Sequence, residues 1–199
     1  ELSRRIGALN TVNISGDRRF GSNTDVAAAL GALRDAARNA GAPPLSRSRV
    51  LLVGAGGAAR ALAYGLTAED AELIIANRTV SRAEKLAAEV GAEFRGLEEI
   101  GGLEPQVLIN ATSVGMHPHT EATPVPRDIL GPGMIVFDAV YNPIRTRLLE
   151  EAAEAGCTTV AGFDWFVRQA ADQFETWTER PAPREVMARV VRERLENAR

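Results

Sequence analysis

A glycine-rich turn follows an apolar run, and it is the first stretch of the chain with residue types suited to chemistry. The apolar run is Val50-Leu-Leu-Val53, and Gly54-Ala-Gly-Gly-Ala58 comes next, before an alanine-rich segment. This pattern predicts a buried strand, a tight turn and a helix, in which Gly54 permits the turn and Gly56 lets a phosphate approach the backbone. Free N–H groups at the start of the helix favour an anion. Ordinary glycine-rich turns share this pattern. Residues elsewhere in the chain must therefore decide between a dinucleotide-binding site and a turn without a ligand.

A second candidate lies at the end of the next apolar run, where Asn77, Arg78 and Thr79 are followed by Arg82. Sites for NAD carry an Asp or Glu about 20 residues past the glycines, where it binds the ribose hydroxyls. A neutral residue and two guanidinium groups suit a 2'-phosphate instead, because an arginine binds phosphate bidentately. The alternative is a pair of solvated arginines, but cations at a helix start oppose the helix dipole. The residues therefore favour NADP over NAD.

Strands and helices alternate from Val50 onward, which predicts an α/β fold with a doubly wound parallel sheet of the Rossmann type. Apolar runs predict about six strands, at 50–53, 72–76, 92–95, 106–110, 134–138 and 158–161. Ligands of such sheets bind beyond the carboxyl ends of the strands. Before the sheet, a hairpin is predicted within residues 7–22, and Asn23-Thr24-Asp25 precedes a helix over 26–37.

The composition is that of an ordinary globular protein, with 45% hydrophobic and 25% charged residues. The net charge of -3 gives no reason to expect nucleic acid or an anionic membrane as a partner. No apolar run reaches the roughly 20 residues that span a bilayer. Cys157 is the single cysteine, which excludes an intramolecular disulfide and suits a reducing compartment. We therefore expect a cytoplasmic protein in which Cys157 is a buried thiol at a strand start.

With these motifs placed, the chain closely resembles the shikimate dehydrogenase family. The matching segments run in the family's order over nearly the whole chain: 7–12, 23–25, 54–60, 77–79 with Arg82, 110–116, 140–143 and 162–169. The resemblance implies NADPH-linked, reversible reduction of 3-dehydroshikimate to shikimate, in the pathway to chorismate and the aromatic amino acids. Residues 169–184 look most like the version fused behind a dehydroquinate dehydratase.

Matched residue by residue, the resemblance implies substrate contacts at Asn10, Asp25, Tyr141 and Gln169, with Asp25 as the catalytic residue. Amides, a phenol and a carboxylate can hold the hydroxyls of a polyhydroxy acid, and Asp25 can assist proton transfer. Structural alternatives stay open for each of them. Asp25 could cap a helix, Asn10 could be a turn residue, Tyr141 a strand-end aromatic, and Gln169 one polar position of an amphipathic helix.

The cofactor implied by the resemblance is NADP(H), and no metal is expected. Its contacts fall on Gly54, Ala55, Gly56, Gly57, Ala58, Asn77, Arg78, Thr79, Arg82, Thr112, Ala139 and Gly162. His117 and His119 match nothing functional in the family, and we expect them to face solvent.

Two departures from the family pattern qualify the implied activity. Trp165 stands where the family has a methionine near the nicotinamide. The family's catalytic lysine and its carboxylate-binding Ser-x-Ser segment have no counterpart, and Lys85 is the only lysine. We therefore expect an N-terminally truncated form with weak or no activity, which self-associates through an exposed edge.

The expected domains are the end of a substrate-binding domain (1–24), a connecting helix (25–45), an NADP-binding domain (46–180) and a C-terminal helix (181–199). Three other functions remain open. A quinate-preferring dehydrogenase shares the motifs. A glutamyl-tRNA reductase has similar glycines and a similar Asn-Arg-Thr, but is not expected to carry 23–25 or the Gln169 helix. A non-catalytic NADP-binding module is the third.

Overall fold

The computed structural model describes residues 2–197. Its helices are α1 (Leu2–Ile6), α2 (Thr24–Ala40), α3 (Gly57–Ala68), α4 (Val80–Val90), α5 (Arg147–Glu154), α6 (Gly162–Thr178) and α7 (Arg184–Glu196). Its strands are β1 (Thr11–Ser15), β2 (Arg18–Ser22), β3 (Arg49–Val53), β4 (Glu72–Asn77), β5 (Glu93–Gly96), β6 (Val107–Asn110), β7 (Ile135–Asp138) and β8 (Thr158–Ala161). Within this range no helix is both long and apolar enough to cross a membrane.

The main sheet has six parallel strands in the order β5-β4-β3-β6-β7-β8. The chain enters this sheet at the centre with β3 and continues outward through β4 to β5. It then returns to the centre and adds β6 on the other side of β3. The strand order therefore reverses between β3 and β6, which is where doubly wound sheets bind their ligands. The predicted fold class and the predicted set of strands are confirmed.

The core lies on both faces of this sheet, which is why its strands are almost wholly apolar. On one face α2 and α3 pack against alternate residues of the central strands, and Leu33, Leu62 and Phe137 are fully buried there. On the other face α5 covers Leu51, Leu108 and Val136. Helix α2 thus contributes to the same core as the sheet that it precedes.

Local residue choice explains the boundaries of α2. The Asn23 side chain accepts hydrogen bonds from the backbone N–H groups of Asp25 and Val26, so Asn23 is the N-cap. Gly41 ends the helix with a left-handed φ of 64°, a conformation that glycine adopts without strain. The sequence-based alternative that Asp25 caps this helix is wrong, and its carboxylate is left for another role.

The hairpin of β1 and β2 forms a separate two-stranded antiparallel sheet. All of its residues except Thr11 are exposed, including the apolar side chains of Val12, Ile14 and Phe20. A two-stranded sheet is only marginally stable by itself. It is held to the rest of the molecule by α6, where the Trp177 indole donates to the carbonyl of Val12 at 3.1 Å.

Candidate cofactor and substrate site

The carboxyl ends of the parallel strands align at one edge of the sheet. In the observed register Val53 pairs with both Ala76 and Asn110, Asn110 pairs with Asp138, and Asp138 pairs with Ala161. The residues that follow these strand ends are therefore brought together. They include the predicted cofactor contacts Gly54, Asn77, Thr112, Ala139 and Gly162.

The glycine turn after β3 lies against the loop after β6. Gly54 has a φ of 122°, and a Cβ atom on it would lie 2.9 Å from the carbonyl oxygen of Ala111 and 3.2 Å from Cγ2 of Thr112. A side chain at this position is therefore excluded both by conformation and by space. The close contact between the two loops therefore requires glycine at position 54 and fixes the position of the turn against the loop after β6.

Open space lies above the other side of the turn. Gly56 and Gly57 are exposed, and a Cβ atom on either would meet nothing within 4 Å. Gly56 is the N-cap of α3 without a side-chain cap, so no side chain of the described residues occupies the first N–H groups of this helix. Uncapped N–H groups beside open space form a binding place for an anion.

Gly162 marks a second close approach at the same edge. A Cβ atom on Gly162 would lie 2.6 Å from the carbonyl oxygen of Asp138 and 2.7 Å from the carbonyl carbon of Ala139. The residue begins α6, and so places the start of this helix directly on the end of β7.

The residues after β4 present cations beside the glycine turn. Asn77 donates from Nδ2 to the carbonyl of Thr79 at 2.9 Å, which fixes the turn into α4. Arg78 and Arg82 follow on exposed positions. Arg82 and Ala55 line one cavity of about 290 Å³, so α4 and the glycine turn share a single opening.

Asn110 organises the loop that faces Gly54. Its Oδ1 accepts from the backbone N–H and the hydroxyl of Thr112, at 3.0 and 2.7 Å, and its Nδ2 donates to Asp138 and to the carbonyl of Val114. The Thr112 hydroxyl also accepts from the N–H of Val114 at 3.1 Å. Both Thr112 and Asn110 are therefore used to hold the loop in place.

Asp138 is a residue whose importance sequence reasoning missed. Its buried carboxylate accepts from Asn110 Nδ2 at 2.9 Å, from the N–H of Val140 at 3.0 Å and from the Thr146 hydroxyl at 2.6 Å. Burial raises the pKa of Asp138, and the three hydrogen bonds oppose that shift to a smaller extent. An acidic residue at the end of an apolar strand was the signal available in the sequence.

Of the predicted substrate contacts, Asn10 and Gln169 meet around Thr24. Asn10 donates from Nδ2 to the Thr24 hydroxyl at 3.0 Å, and its Oδ1 accepts from the backbone N–H of Thr24 at 3.0 Å. The Thr24 hydroxyl donates to Oε1 of Gln169 at 3.5 Å. Residues from the hairpin, α2 and α6 are thus joined by side-chain hydrogen bonds.

Asp25 lies next to this group and is positioned by Trp165. The indole Nε1 of Trp165 donates to the backbone carbonyl of Asp25 at 2.9 Å, and its ring meets Phe137 edge-on at a centroid distance of 6.0 Å. Burial raises the pKa of the Asp25 carboxyl, with an opposing effect from the Asn10 amide. Asp25 therefore keeps its proton to a higher pH than an exposed aspartate does.

Tyr141 approaches the same helix from the loop after β7. Its ring stacks on Phe166 of α6, with centroids 4.8 Å apart, and the residue is 39% exposed. The structure therefore gathers Asn10, Asp25, Tyr141 and Gln169 around the first half of α6.

The remaining candidates lie elsewhere. His117 and His119 are exposed in the loop between β6 and β7, as expected. Cys157 is half-buried and lies just before β8, so the expectation of a buried thiol is corrected. Its Sγ donates to the carbonyl of Gly131 at 3.1 Å, and partial burial raises its pKa.

Family models match two parts of the chain. Residues 35–120 match the model described as shikimate / quinate 5-dehydrogenase, and residues 162–192 match the shikimate 5'-dehydrogenase C-terminal domain. A shikimate dehydrogenase (NADP(+)) of Methanosarcina acetivorans is 44% identical over 207 residues, which cover 98% of this chain and 71% of that protein. The chain belongs to the shikimate dehydrogenase family.

A plant relative is much longer. The chloroplastic bifunctional 3-dehydroquinate dehydratase/shikimate dehydrogenase of Arabidopsis thaliana is 43% identical over 198 residues. The match covers 93% of this chain and 33% of that protein. The chain thus spans about a third of the plant protein and about seven tenths of the archaeal relative.

Solved structures of the family have the same fold. A shikimate dehydrogenase in complex with NADP+ has a TM-score of 0.87 at 35% identity, over 98% of this chain and 69% of that one. The Thermus thermophilus enzyme with NADP(H) and shikimate has a TM-score of 0.83 at 35% identity, over 96% and 70%. A quinate dehydrogenase from Corynebacterium glutamicum in complex with NAD has a TM-score of 0.83 at 31% identity, over 94% and 68%.

Proposed function

We propose that this chain binds NADP(H) and forms the cofactor side, with part of the substrate side, of an NADP-dependent shikimate dehydrogenase. The reaction is the reversible reduction of 3-dehydroshikimate to shikimate. The observation that carries the proposal is the shared opening of the glycine turn and α4, which sets an uncapped helix start beside the arginine Arg82. The NADP(+)-dependent relatives and the NADP-bound neighbours support it.

The residues present fit the cofactor. The N–H groups at the start of α3, beside Gly56 and Gly57, would hold the pyrophosphate, because the space above them is open and the helix dipole favours an anion. Arg78 and Arg82 would hold the 2'-phosphate with charge-assisted hydrogen bonds. The bound nicotinamide supplies the hydride.

The substrate residues would then orient a polyhydroxy acid beside the cofactor. Asn10, Gln169 and Tyr141 carry groups that both donate and accept, as ring hydroxyls require. Asp25 holds a hydroxyl and helps to move its proton, a role that suits a carboxyl whose pKa is raised by burial.

The proposed domains follow one another along the chain. Residues 1–24 belong to the substrate-binding side and 25–45 connect it to the cofactor domain of residues 46–180. The proposed C-terminal segment, 181–199, contains the helix α7 (Arg184–Glu196). This domain division is supported by a difference in burial. The hairpin is exposed, whereas the sheet is packed against a continuous buried core.

Low turnover by the 199-residue chain is part of the proposal. The resemblance pairs Asp25 with a lysine, and the only lysine, Lys85, lines the cavity beside Ala55 instead. Loss of a general acid costs about 10²–10⁴-fold in rate. An assay of shikimate-dependent NADP reduction should show NADPH binding with slow or absent turnover, and near-normal turnover would contradict this part.

The decisive variant for cofactor choice is Arg78→Ala. It should weaken NADPH binding at least tenfold, as expected for one charge-assisted hydrogen bond to phosphate worth about 1.5–3 kcal/mol. Binding of NADH should change little, because NADH has no 2'-phosphate. An equal loss of affinity for NADPH and NADH would contradict the assignment of Arg78 to the 2'-phosphate.

Quinate is the second candidate substrate. The matching family model names both acids, and one solved neighbour is a quinate dehydrogenase. Comparison of quinate with shikimate as the partner for NADP reduction separates the two.

The same proposal includes self-association through the hairpin. Ile14 and Phe20 are 67% and 52% exposed on a sheet with open edges, and such edges favour pairing with another chain. Sedimentation should show a concentration-dependent dimer or larger species, and a strictly monomeric chain would contradict it.

A further inference from the structure

The cavity of about 290 Å³ beside the glycine turn contains more charge than Arg82 alone. It is bounded on one side by the turn and on the other by the exposed face of α4. Its lining residues are Ala55, Arg60, Arg82, Lys85, Leu86 and Glu89. Three cations and one carboxylate therefore surround a space that also touches the cofactor turn.

One of these cations is already paired. The Arg60 guanidinium forms an ion pair with Glu89 and also donates to the backbone carbonyl of Ile6. It lies over the Tyr64 ring at 5.3 Å, and the Tyr64 hydroxyl donates to the same Glu89 carboxylate at 3.4 Å. Arg60 and Glu89 therefore neutralise each other and tie α3 to α4.

This pairing leaves Lys85 free. The ordinary helical partner of Lys85 would be Glu89, four residues further along α4, but the Glu89 carboxylate is bound to Arg60. Within residues 2–197, neither Lys85 nor Arg82 forms an ion pair with a carboxylate. The two uncompensated cations of the cavity are thus Arg82 and Lys85.

Arg82 and Lys85 lie three residues apart and share one face of α4. Like charges at this spacing destabilise a helix, and a bound anion between them would remove the repulsion. Ala83 and Ala87 are buried on the opposite side of α4, and Leu86 lines the cavity beside Arg82 and Lys85, so this face of the helix is turned toward the opening. The site is therefore preformed for a multiply charged anion that also reaches the glycine turn.

We propose that Lys85 acts with Arg78 and Arg82 as a third cation for the 2'-phosphate, and so helps to determine the choice of NADP over NAD. This inference rests on the proposed function. Lysine acts on phosphate as a flexible point charge, whereas arginine grips it with a fixed fork. Lys85 therefore contributes to the affinity for NADPH through its positive charge. The variant Lys85→Arg keeps this charge and with it the affinity.

The test is a titration of the 199-residue chain and its variants with NADPH and, separately, NADH, followed by nicotinamide fluorescence. Lys85→Gln should raise the Kd for NADPH by roughly three- to tenfold, in line with one exposed charge acting on a dianion. The Kd for NADH should stay within twofold. Lys85→Arg should bind NADPH as the unchanged chain does, and the effect of Lys85→Gln should shrink as salt is raised.

The matched control is Arg47→Gln, which removes one exposed positive charge before β3. It should leave both Kd values unchanged, so that a general effect of net charge is separated from a local one. If Lys85→Gln alters NADPH and NADH equally, or alters neither, Lys85 is a solvated surface charge and the inference is overturned.

The same titrations distinguish a wrong role for Lys85 from a wrong proposed function. If the unchanged chain prefers NADPH and Arg78→Ala removes the preference while Lys85→Gln does not, the inference fails and the function stands. If the unchanged chain shows no preference for NADPH over NADH, both fail together.

Discussion

The proposed cofactor side and the proposed substrate side of this site are built in different ways. On the cofactor side, backbone groups after successive strands of one sheet align because the strand register aligns them. On the substrate side, residues of the hairpin, α2 and α6 meet through side-chain hydrogen bonds such as that between Thr24 and Gln169. The first region is fixed by the main core, and the second by a few polar contacts.

This difference has consequences for stability. Strand β3, which ends just before Gly54, and strand β6, which ends at Asn110, are buried on both faces, and buried strands open only with global unfolding. The hairpin that directly follows Asn10 is exposed, and few buried contacts hold it. We therefore expect the substrate side to open locally while the cofactor side stays folded.

The largest effect is expected at the close approach on the cofactor side. Gly162→Ala places a Cβ atom 2.6 Å from the Asp138 carbonyl oxygen, and backbone atoms cannot give way cheaply. The free energy of unfolding should fall by at least about 3 kcal/mol, the upper end for overpacking. Urea denaturation measures it.

Gly57→Ala is the matched control, because a Cβ atom there meets nothing within 4 Å. Its stability should be unchanged or slightly higher, since alanine favours the helix. Equal losses for the two variants would mean that close packing at β7 does not fix this edge.

The second prediction concerns the buried carboxylate between the strand ends. The pKa of Asp138 is raised by burial above its ordinary 3.8, so the folded state binds the proton more tightly than the unfolded state. Its contribution to stability is therefore greatest in acid and falls as pH rises from about 3.8 to the raised folded value, by at most about 1.4 kcal/mol per pH unit. Above that value the contribution is constant.

Denaturation of the unchanged chain and of Asp138→Asn over a pH series checks the sign. The stability of the unchanged chain relative to the variant should fall across that window, because asparagine does not titrate. A relative stability that rises with pH would show that the hydrogen bonds from Asn110, Val140 and Thr146 outweigh burial.

Smaller effects are expected at the two tryptophan hydrogen bonds, first at the link between the two sides. Trp165→Phe keeps an aromatic ring against Phe137 but removes the indole N–H that donates to the Asp25 carbonyl. The cost should be about 1 kcal/mol, typical of one partly buried hydrogen bond. Thermal unfolding measures it.

Trp177→Phe provides the comparison for that result. It removes a similar bond, from the indole to the Val12 carbonyl, at a side chain that is 55% exposed. Because water replaces the donor there, the loss should stay below about 0.5 kcal/mol. A larger loss at Trp177 than at Trp165 would reverse our order of the two contacts.

Much of the cofactor side could be predicted from sequence because its signals are local. Apolar runs ending at Gly54 and at Asn77 define both the strand ends and the residues that follow them. Motif order over the chain identified the family. The same logic placed the α2 boundary near Asn23, although it left open whether Asp25 was the cap.

The rest depended on contacts between distant segments, which no local pattern encodes. The bond between Trp165 and Asp25 joins residues 140 positions apart. Asp138 acquires its donor from Asn110 only when β6 and β7 are adjacent. Half-burial of Cys157 follows from how the loop containing Gly131 packs beside it.

The most direct test of the account is a titration of the unchanged chain with NADPH and with NADH under the same conditions. We expect NADPH to bind at least about tenfold more tightly than NADH, because two guanidinium groups hold its 2'-phosphate. Equal affinity for the two cofactors, or no uptake of NADPH, would contradict it.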